Sequence, residues 1–277
     1  MKKLLVLSIM FFSILSAIPA EESGQGDLDK YLKGAAGYCA RLKGEAFHFF
    51  CKENVVLKKD KLLSSIGHSN KLNRQRFNIK YLFDYQIISK GKRVEEQRKL
   101  LSQSGGDKNY DPREILVFLN EKVVFAPTSI LDRERQSDFN FKLSEGNMEE
   151  SSNIVIIEAI PKIKGARFFS SSEIYLDKES YAIRKIIAIP RFIKGYEVMK
   201  KIAGIYKTKL FLNVEVNFDK EYKGLYFPTK IVITEKYRGG PQIPRYVGPL
   251  GWVRTETIFN YTDYRFFDVD TEVKVEK

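Results

Sequence analysis

The stretch that decides the fold is residues 76–89, RFNIKYLFDYQIIS. Apolar side chains occupy six alternate positions on one side of it, and the other side is mostly polar. A period of two is typical of a half-buried β-strand, and a helix cannot reproduce it over six successive positions. The apolar positions are Phe77, Ile79, Tyr81, Phe83, Tyr85 and Ile87. The stretch therefore predicts a long strand with one face in a core.

The same alternation recurs on both sides of this stretch. Phe47 and Phe49 begin an earlier strand, and turn residues such as Gly105-Gly106 separate the later ones. The 20 phenylalanines and 15 tyrosines suit half-buried pleated surfaces. Further strands are predicted at 92–101, 115–125, 138–144, 153–160, 168–177, 181–189, 208–219, 226–238 and 253–265, with a last one at 269–275. The chain is predicted to be mainly β, with an antiparallel sheet and few helices.

Helical spacing is confined to three segments. Leu28, Tyr31 and Leu32 begin a series of apolar residues at helical spacing, which predicts a helix over 28–43, capped by Asp27 and ended by Gly44. Residues 21–26 before it are expected to be a flexible leader. Shorter helices are predicted at 129–136 and 195–204.

The first 20 residues have the order of a secretory signal peptide. Lys2 and Lys3 precede an apolar stretch, and Pro19-Ala20 offers a small residue at the cut. No cysteine for lipid attachment lies near this point, and no later stretch is apolar enough for a membrane-spanning helix. We expect a protein exported to the periplasm or beyond, soluble after cleavage, with residues 21–277 as a single domain.

The charge balance is basic, with 47 lysines and arginines against 35 acidic residues and a formal net charge of +12. A basic excess favours an anionic surface as partner. In an exported protein, lipid headgroups or an acidic partner fit this charge better than nucleic acid does. The basic residues are scattered along the strands, however, so a solvated strand face explains many of them.

The chain has two cysteines, Cys39 and Cys51. An even count in an oxidising compartment makes a disulfide between them the expectation. If Gly44 is the turn between helix and strand, Cys39 lies roughly 8 Å before it at helical rise and Cys51 roughly 23 Å after it at strand rise. The bond therefore requires the helix to cross the sheet obliquely or the strand to start late.

Residues for catalysis or metal binding are few. The only histidines are His48, in an aromatic strand, and His68, in a polar stretch, and this spacing makes no zinc site. His48 and Cys51 point to opposite faces of a strand, so a nucleophile pair is not supported. Gly-x-Ser-x-Gly and Gly-rich phosphate loops are absent. We expect no enzymatic activity, no cofactor and no metal.

An antiparallel sheet that curls without closing must cover its concave face. The cover can be its own side chains, a helix that acts as a lid, or a ligand such as an acyl chain. The candidate wall of a lipid-binding cavity consists of Phe47, Phe49, Phe77, Ile79, Tyr81, Phe83 and Tyr85, with Leu28, Tyr31 and Leu32 from the lid.

Five stretches resemble the LolA/LolB-like periplasmic lipoprotein carriers. They are LDKYLKGAAGYCARLKGEAFHFFCKENVV (28–56), IVIIEAIPK (154–162), SEIYLDKESYAIRKIIAIP (172–190), FPTKIVITEKYR (227–238) and NYTDYRFFDV (260–269). The resemblance implies a strongly curved, half-open β-barrel covered by an N-terminal helix and one or two short helices. It also implies an apolar cavity for acyl chains. The chain is longer than a typical carrier, and its cysteine pair departs from the family pattern, so no functional residue is carried over by position.

Two functions follow from these patterns. The first is a non-enzymatic carrier that binds lipid or lipoprotein acyl chains, with transient membrane contact. The second is a β-rich envelope interaction or sensor protein with a filled core. It would bind a protein partner through the Gly/Pro-rich loop 239–251, around which Arg238, Arg245, Tyr246 and Trp252 cluster.

Overall fold

The structure is a computed structural model that describes residues 22–45, 49–63, 73–90, 93–105, 127–144, 153–162, 169–190, 196–239 and 252–267. Its helices are α1 (Glu22–Glu45) and α2 (Tyr196–Ile205), with two 3₁₀ turns at Pro127–Leu131 and Gln136–Asp138. Its strands are β1 (Phe49–Leu63), β2 (Asn73–Lys90), β3 (Arg93–Ser104), β4 (Phe139–Leu143), β5 (Ile154–Pro161), β6 (Phe169–Asp177), β7 (Ile183–Pro190), β8 (Lys209–Tyr222), β9 (Leu225–Arg238) and β10 (Trp252–Phe266).

All ten strands belong to one antiparallel sheet in the order β3-β2-β1-β10-β9-β8-β7-β6-β5-β4. Each described strand pairs with the next one in the chain, except β3 with β4, and the first strand also pairs with the last. Within the described ranges, β3 and β4 are the two edges and do not pair with each other, so the sheet is open. The prediction of a mainly β fold with an open antiparallel sheet and few helices is confirmed.

The two faces of the sheet differ in burial. The inner face, which carries alternate residues such as Val55, Tyr81 and Ile231, is buried. These residues form one continuous core with α1 and the turn Pro127–Leu131. A bulge interrupts the pairing of β1 with β10, where Asp263 and Tyr264 together oppose Cys51. Asp263 has a φ of +53°, in the left-handed region, which is a common geometry at bulges.

Two helix predictions need correction. The helix α1 begins at Glu22, so residues 22–26 are helical and Asp27 is not its cap. Once a helix has formed, each added residue gains a backbone bond, and no proline interrupts this segment. The predicted helix 129–136 is two 3₁₀ turns instead, with backbone bonds such as Asp138 N to Arg135 O spanning three residues.

Several predictions lie outside the described residues. These are the signal peptide over 1–20 and the strands at 115–125 and 269–275. Among the described residues, neither helix combines the length and the apolar character that crossing a membrane requires.

Candidate functional site

The predicted cavity wall lies on the inner face of β1 and β2. Because β2 alternates, its four residues Ile79, Tyr81, Phe83 and Tyr85 are buried on one side. Phe77 is only half-buried near the start of β2. Phe49 begins β1 and is 1% exposed. Phe47 lies outside the described residues.

Helix α1 covers another part of the same face. It packs mainly against the turn Pro127–Leu131, β9 and β4. Of the predicted lid residues, Leu28 is buried, and Tyr31 and Leu32 are half-buried against the core. The helix also buries residues that were not proposed for the lid: Ala35, Tyr38, Cys39 and Leu42.

A few local contacts hold α1 in place. The Tyr226 backbone N–H donates to the Tyr38 hydroxyl at 2.7 Å, and burial raises the pKa of that hydroxyl to about 12. The Gln136 side-chain amide donates to the Leu32 carbonyl at 2.9 Å. Lys43 forms an ion pair with Asp132. These contacts all connect α1 to segments between β3 and β4 or to the β8–β9 turn region.

Gly34 allows α1 to approach the β6–β7 turn closely. A Cβ atom at this position would lie 2.4 Å from Cγ of Tyr181. Real Cβ atoms do not approach other heavy atoms so closely, so only glycine fits here with Tyr181 in its present place. The contact fixes the position of the helix over the sheet.

An aromatic cluster lies where β1, β9 and β10 meet. The Phe49 ring centroid lies 5.3 Å from that of Phe227 and 5.1 Å from that of Tyr264. Phe266 stacks on Tyr222 at 3.9 Å. Such pairs stabilise beyond their buried area. The sequence analysis proposed only Phe49 from this cluster.

The predicted disulfide is wrong, because Cys39 and Cys51 are separate buried thiols. The Cys39 Sγ lies 3.7 Å from the Thr128 carbonyl oxygen, to which it donates. Cys51 lies on β1 opposite Tyr85. The helix packs mainly on β9 and β4, and β10 separates β9 from β1, which keeps the two cysteines apart. Burial raises the pKa of Cys39 to about 12 and that of Cys51 further.

A buried polar cluster interrupts the apolar face beside Cys51. We call it the β1–β3 network, made of Glu53, Arg98, Glu96, Tyr85 and Tyr261. Arg98 donates to both carboxylate oxygens of Glu53, at 2.7 and 3.0 Å, and the Tyr261 hydroxyl donates to the same carboxylate at 2.8 Å. Glu53 is fully buried. Its charge is therefore matched by a bidentate partner.

The β1–β3 network has more polar groups than it can pair. Glu96 Oε2 lies 2.9 Å from Arg98 Nη1, but the two are not aligned as a hydrogen bond. The buried Tyr85 hydroxyl also has no hydrogen-bond partner among the described residues. Burial raises the pKa of Glu96, although Arg98 opposes that shift. One arginine thus serves two buried carboxyl groups.

A cleft lies close to this network, but most of its lining residues, such as Lys52, Asp84 and Lys99, belong to the outer phase of β1, β2 and β3. Its volume is about 760 Å³, and its lining includes Cys51, Tyr85 and Arg98. Lys52 and Asp84, which form an ion pair at 2.5 Å, also line it. The cleft therefore opens on the outer face of the sheet and does not continue the predicted acyl-chain cavity.

A second buried cluster, the β9–β10 network, consists of Glu235, Arg254, Thr255 and Tyr237. Arg254 donates to Glu235 at 2.7 and 3.0 Å, and Thr255 donates at 2.7 Å. The Tyr237 hydroxyl donates to the same carboxylate. The sequence analysis missed both networks. Their signal was a glutamate in the apolar phase of a strand, at Glu53 and at Glu235.

The predicted partner-binding residues are only partly described. Arg238 ends β9, is exposed, and places its guanidinium 4.9 Å from the centre of the Phe211 ring. Trp252 begins β10, where its backbone pairs with Tyr237. Arg245 and Tyr246 lie outside the described residues. Within the described ranges, no three metal-ligating side chains come together.

Comparison with known proteins identifies no family for this chain. No family model matches the chain, and no curated protein matches it. Among solved structures, the chain is similar to a DUF1329 family protein from Desulfovibrio piger ATCC 29098. The identity is 10% over 87% of this chain and 94% of the other, with a TM-score of 0.38. At these values we assign neither a family nor a function from the likeness.

Proposed function

We propose that this protein is a non-enzymatic carrier that holds lipid or lipoprotein acyl chains between its curved sheet and α1. The observation that carries the proposal is the continuous apolar inner face, rich in aromatic residues, over which a single long helix lies. Export, as predicted from residues 1–20, would place such a carrier between membranes. Processing and location are tested by N-terminal sequencing and fractionation.

In this proposal α1 is the lid. Its buried row, which includes Leu28 and Leu42, faces the same core as the sheet. An acyl chain that replaces this row buries a similar apolar area, so the exchange costs little at about 25 cal/mol per Å². The polar contacts of Tyr38, Leu32 and Lys43 are few and local. Their loss is the main cost of opening.

The β1–β3 network supplies a polar end to the same inner face. The Arg98 guanidinium lies 4.9 Å from the centre of the Tyr85 ring, so a ligand headgroup could reach both residues while the acyl chain lies along the aromatic residues. Arg98 is shared by Glu53 and Glu96, so the network favours a ligand that brings further hydrogen-bonding groups.

The second candidate is an envelope interaction or sensor protein that binds a partner through the loop 239–251. The observation that favours it is the large buried cluster that extends across most of the described inner face, which is typical of a filled core. In that case α1 is a permanent part of the core and does not move. Pull-down partners that are lost on deletion of the loop, without bound lipid, would support this function.

A reversible lock on α1 tests the lid. Cβ and Cγ of one residue are about 1.5 Å apart, so the Cβ atoms of a Gly34→Cys/Tyr181→Cys pair lie within about 4 Å, suitable for a disulfide. We expect the oxidised variant to exchange a fluorescent fatty acid at least tenfold more slowly than its reduced form. Peptide mapping must show the engineered bond and leave Cys39 and Cys51 free.

The reduced form of the double variant and the single variant Tyr181→Cys are the matched controls. Oxidation should slow exchange only in the double variant, and the single variant should exchange the probe at one rate under oxidising and reducing conditions. Equal exchange in the oxidised and reduced forms would contradict a moving lid. Absence of any lipid from the purified protein by mass spectrometry, together with no binding of added fatty acid or lipopeptide, would contradict acyl-chain binding itself.

A further inference from the structure

The helix α2 exposes apolar residues that its own core does not need. Met199 and Ala203 are buried and hold the helix to the sheet. Val198 and Ile205 are 58% and 66% exposed, the highest values among the large hydrophobic residues of the described ranges. They are seven positions apart, so they lie on the same helix face. Two exposed aliphatic residues on one face need an explanation other than packing.

The same segment is basic. Residues 196–209 contain four lysines, Lys200, Lys201, Lys207 and Lys209, against one acidic residue, Glu197. Glu197 forms an ion pair with Lys200 at 3.0 Å. Lys201, Lys207 and Lys209 are exposed. Lysines beside exposed aliphatic residues are typical of a helix that lies in the headgroup region of a membrane.

The adjoining strand ends add further positive charge. Lys209 and Arg238 are directly opposite each other in the register of β8 and β9. Both lie over the Phe211 ring, at 5.3 and 4.9 Å from its centre. Lys236 is the register partner of Phe211. Like charges in this arrangement repel and destabilise the sheet, and a bound anionic surface would reverse that cost.

The helix and these strand ends lie at the same end of the sheet, with α2 on the inner face and the strand cations on the outer face. Thr208, which precedes β8, donates its backbone N–H to the Ala203 carbonyl at 2.8 Å, so α2 leads directly into β8. The hydroxyl oxygen of Tyr237, next to Arg238 on β9, lies 3.3 Å from the Met199 carbonyl oxygen of α2. The exposed aliphatic residues and the cations therefore belong to the same end of the molecule.

We infer that α2 and the adjoining ends of β8 and β9 form a docking surface for an anionic lipid bilayer. Val198 and Ile205 enter the headgroup region, and the cations lie among the lipid phosphates. The inference rests on the proposed function for its biological purpose, because a carrier must meet a membrane. Its physical basis, a basic and aliphatic end of the molecule, is separate from the inner face.

Vesicle co-sedimentation tests the docking surface. We expect the purified protein to bind vesicles that contain phosphatidylglycerol and not vesicles of phosphatidylcholine alone, with binding that weakens as salt rises. The pair Lys201→Glu/Lys207→Glu should weaken binding by about tenfold or more, since each basic residue near an anionic surface contributes about 1 kcal/mol, or about fivefold. Val198→Ser/Ile205→Ser should also weaken it.

Matched variants elsewhere control for charge and for exposed apolar surface. Lys30→Glu/Lys33→Glu reverses two exposed lysines on α1, and Leu100→Ser/Leu101→Ser removes two exposed leucines from β3. Both should bind vesicles as the unmodified protein does. All the substituted side chains are exposed, and circular dichroism checks that each variant is folded.

Three results would overturn the inference. One is equal binding to both kinds of vesicle, and another is an equal loss in the α1 variant. The third is binding to polyglutamate that is as tight as binding to vesicles and independent of Val198 and Ile205, which would indicate an acidic protein partner. Fatty-acid binding without vesicles is measured in parallel. Vesicle binding without fatty-acid binding would reject the carrier function and leave the docking surface intact.

Discussion

The two buried networks are built from the same residue types and differ in completeness. In the β9–β10 network, one carboxylate, Glu235, receives hydrogen bonds from Arg254, Thr255 and Tyr237. In the β1–β3 network, Arg98 serves both Glu53 and Glu96, and the Tyr85 hydroxyl has no hydrogen-bond partner among the described residues. Both networks lie within an apolar face, where unpaired polar groups are costly.

This difference in completeness indicates which network serves the stability of the fold and which serves ligand binding. A complete network fixes the register of its strands and leaves no group for a ligand. An incomplete network costs stability and is retained more readily where a ligand completes it. We therefore interpret the β9–β10 network as structural and the β1–β3 network as the polar end of the proposed binding face.

Removal of the arginine from each network should have the largest effect on the free energy of unfolding. The size of the loss should differ between the two networks. Arg98→Met leaves the fully buried Glu53 with only Tyr261, and breaking a buried pair in this way costs about 3–5 kcal/mol. Arg254→Met should cost about 1–3 kcal/mol, because Glu235 keeps Thr255 and Tyr237 and the Arg254 side chain is 22% exposed. Urea denaturation measures both. Equal losses would remove the distinction between the networks.

Glu96, the second carboxyl group beside Arg98, should make the free energy of unfolding depend on pH. Because burial raises the pKa of Glu96, the folded protein holds this proton more tightly than the unfolded chain does. The resulting stability is present at low pH and is lost as pH rises through the raised pKa. Glu96→Gln should remove this part of the pH dependence and, at neutral pH, stabilise the protein by about 1 kcal/mol.

Glu53→Gln is the matched variant, and it should have the opposite sign. It removes the charge that Arg98 and Tyr261 bind, so we expect a loss of about 2–3 kcal/mol at neutral pH. Urea denaturation from acid to neutral pH compares the two variants. A destabilised Glu96→Gln variant would show that Arg98 needs both carboxylates.

The sequence was sufficient for the strands but not for the networks. The alternation in 76–89 predicts the inner residues of β2 because a period of two assigns each side chain to one face. A charged residue in the apolar phase of a neighbouring strand, such as Glu53 in β1, indicates a buried carboxylate. Their partners could not be predicted, because Arg98 and Tyr261 reach Glu53 only through pairing across β2 and β10. Local periodicity does not show which residues of strands far apart in the sequence face each other.

The relative position of the two cysteines could not be predicted from local sequence pattern either. Residue count and compartment favour a disulfide, whereas the bond depends on where α1 crosses the sheet. The helix is placed by Gly34 against Tyr181 and by Tyr38 at β9, and neither contact is visible in the spacing of the cysteines. Side-chain placement across the sheet, and not local pattern, therefore decided this outcome.

The smallest effects should come from these thiols, one of which borders the β1–β3 network. Burial raises the pKa of Cys39 to about 12 and that of Cys51 further, so both should resist iodoacetamide at pH 8 in the folded protein and react after unfolding. Each change to alanine should cost about 1 kcal/mol through lost packing, less than the 2–5 kcal/mol or so expected for loss of a native disulfide. If peptide mapping without reductant finds Cys39 joined to Cys51, α1 must be able to reach β1. Such a bond would place the lid over the incomplete network rather than over β9.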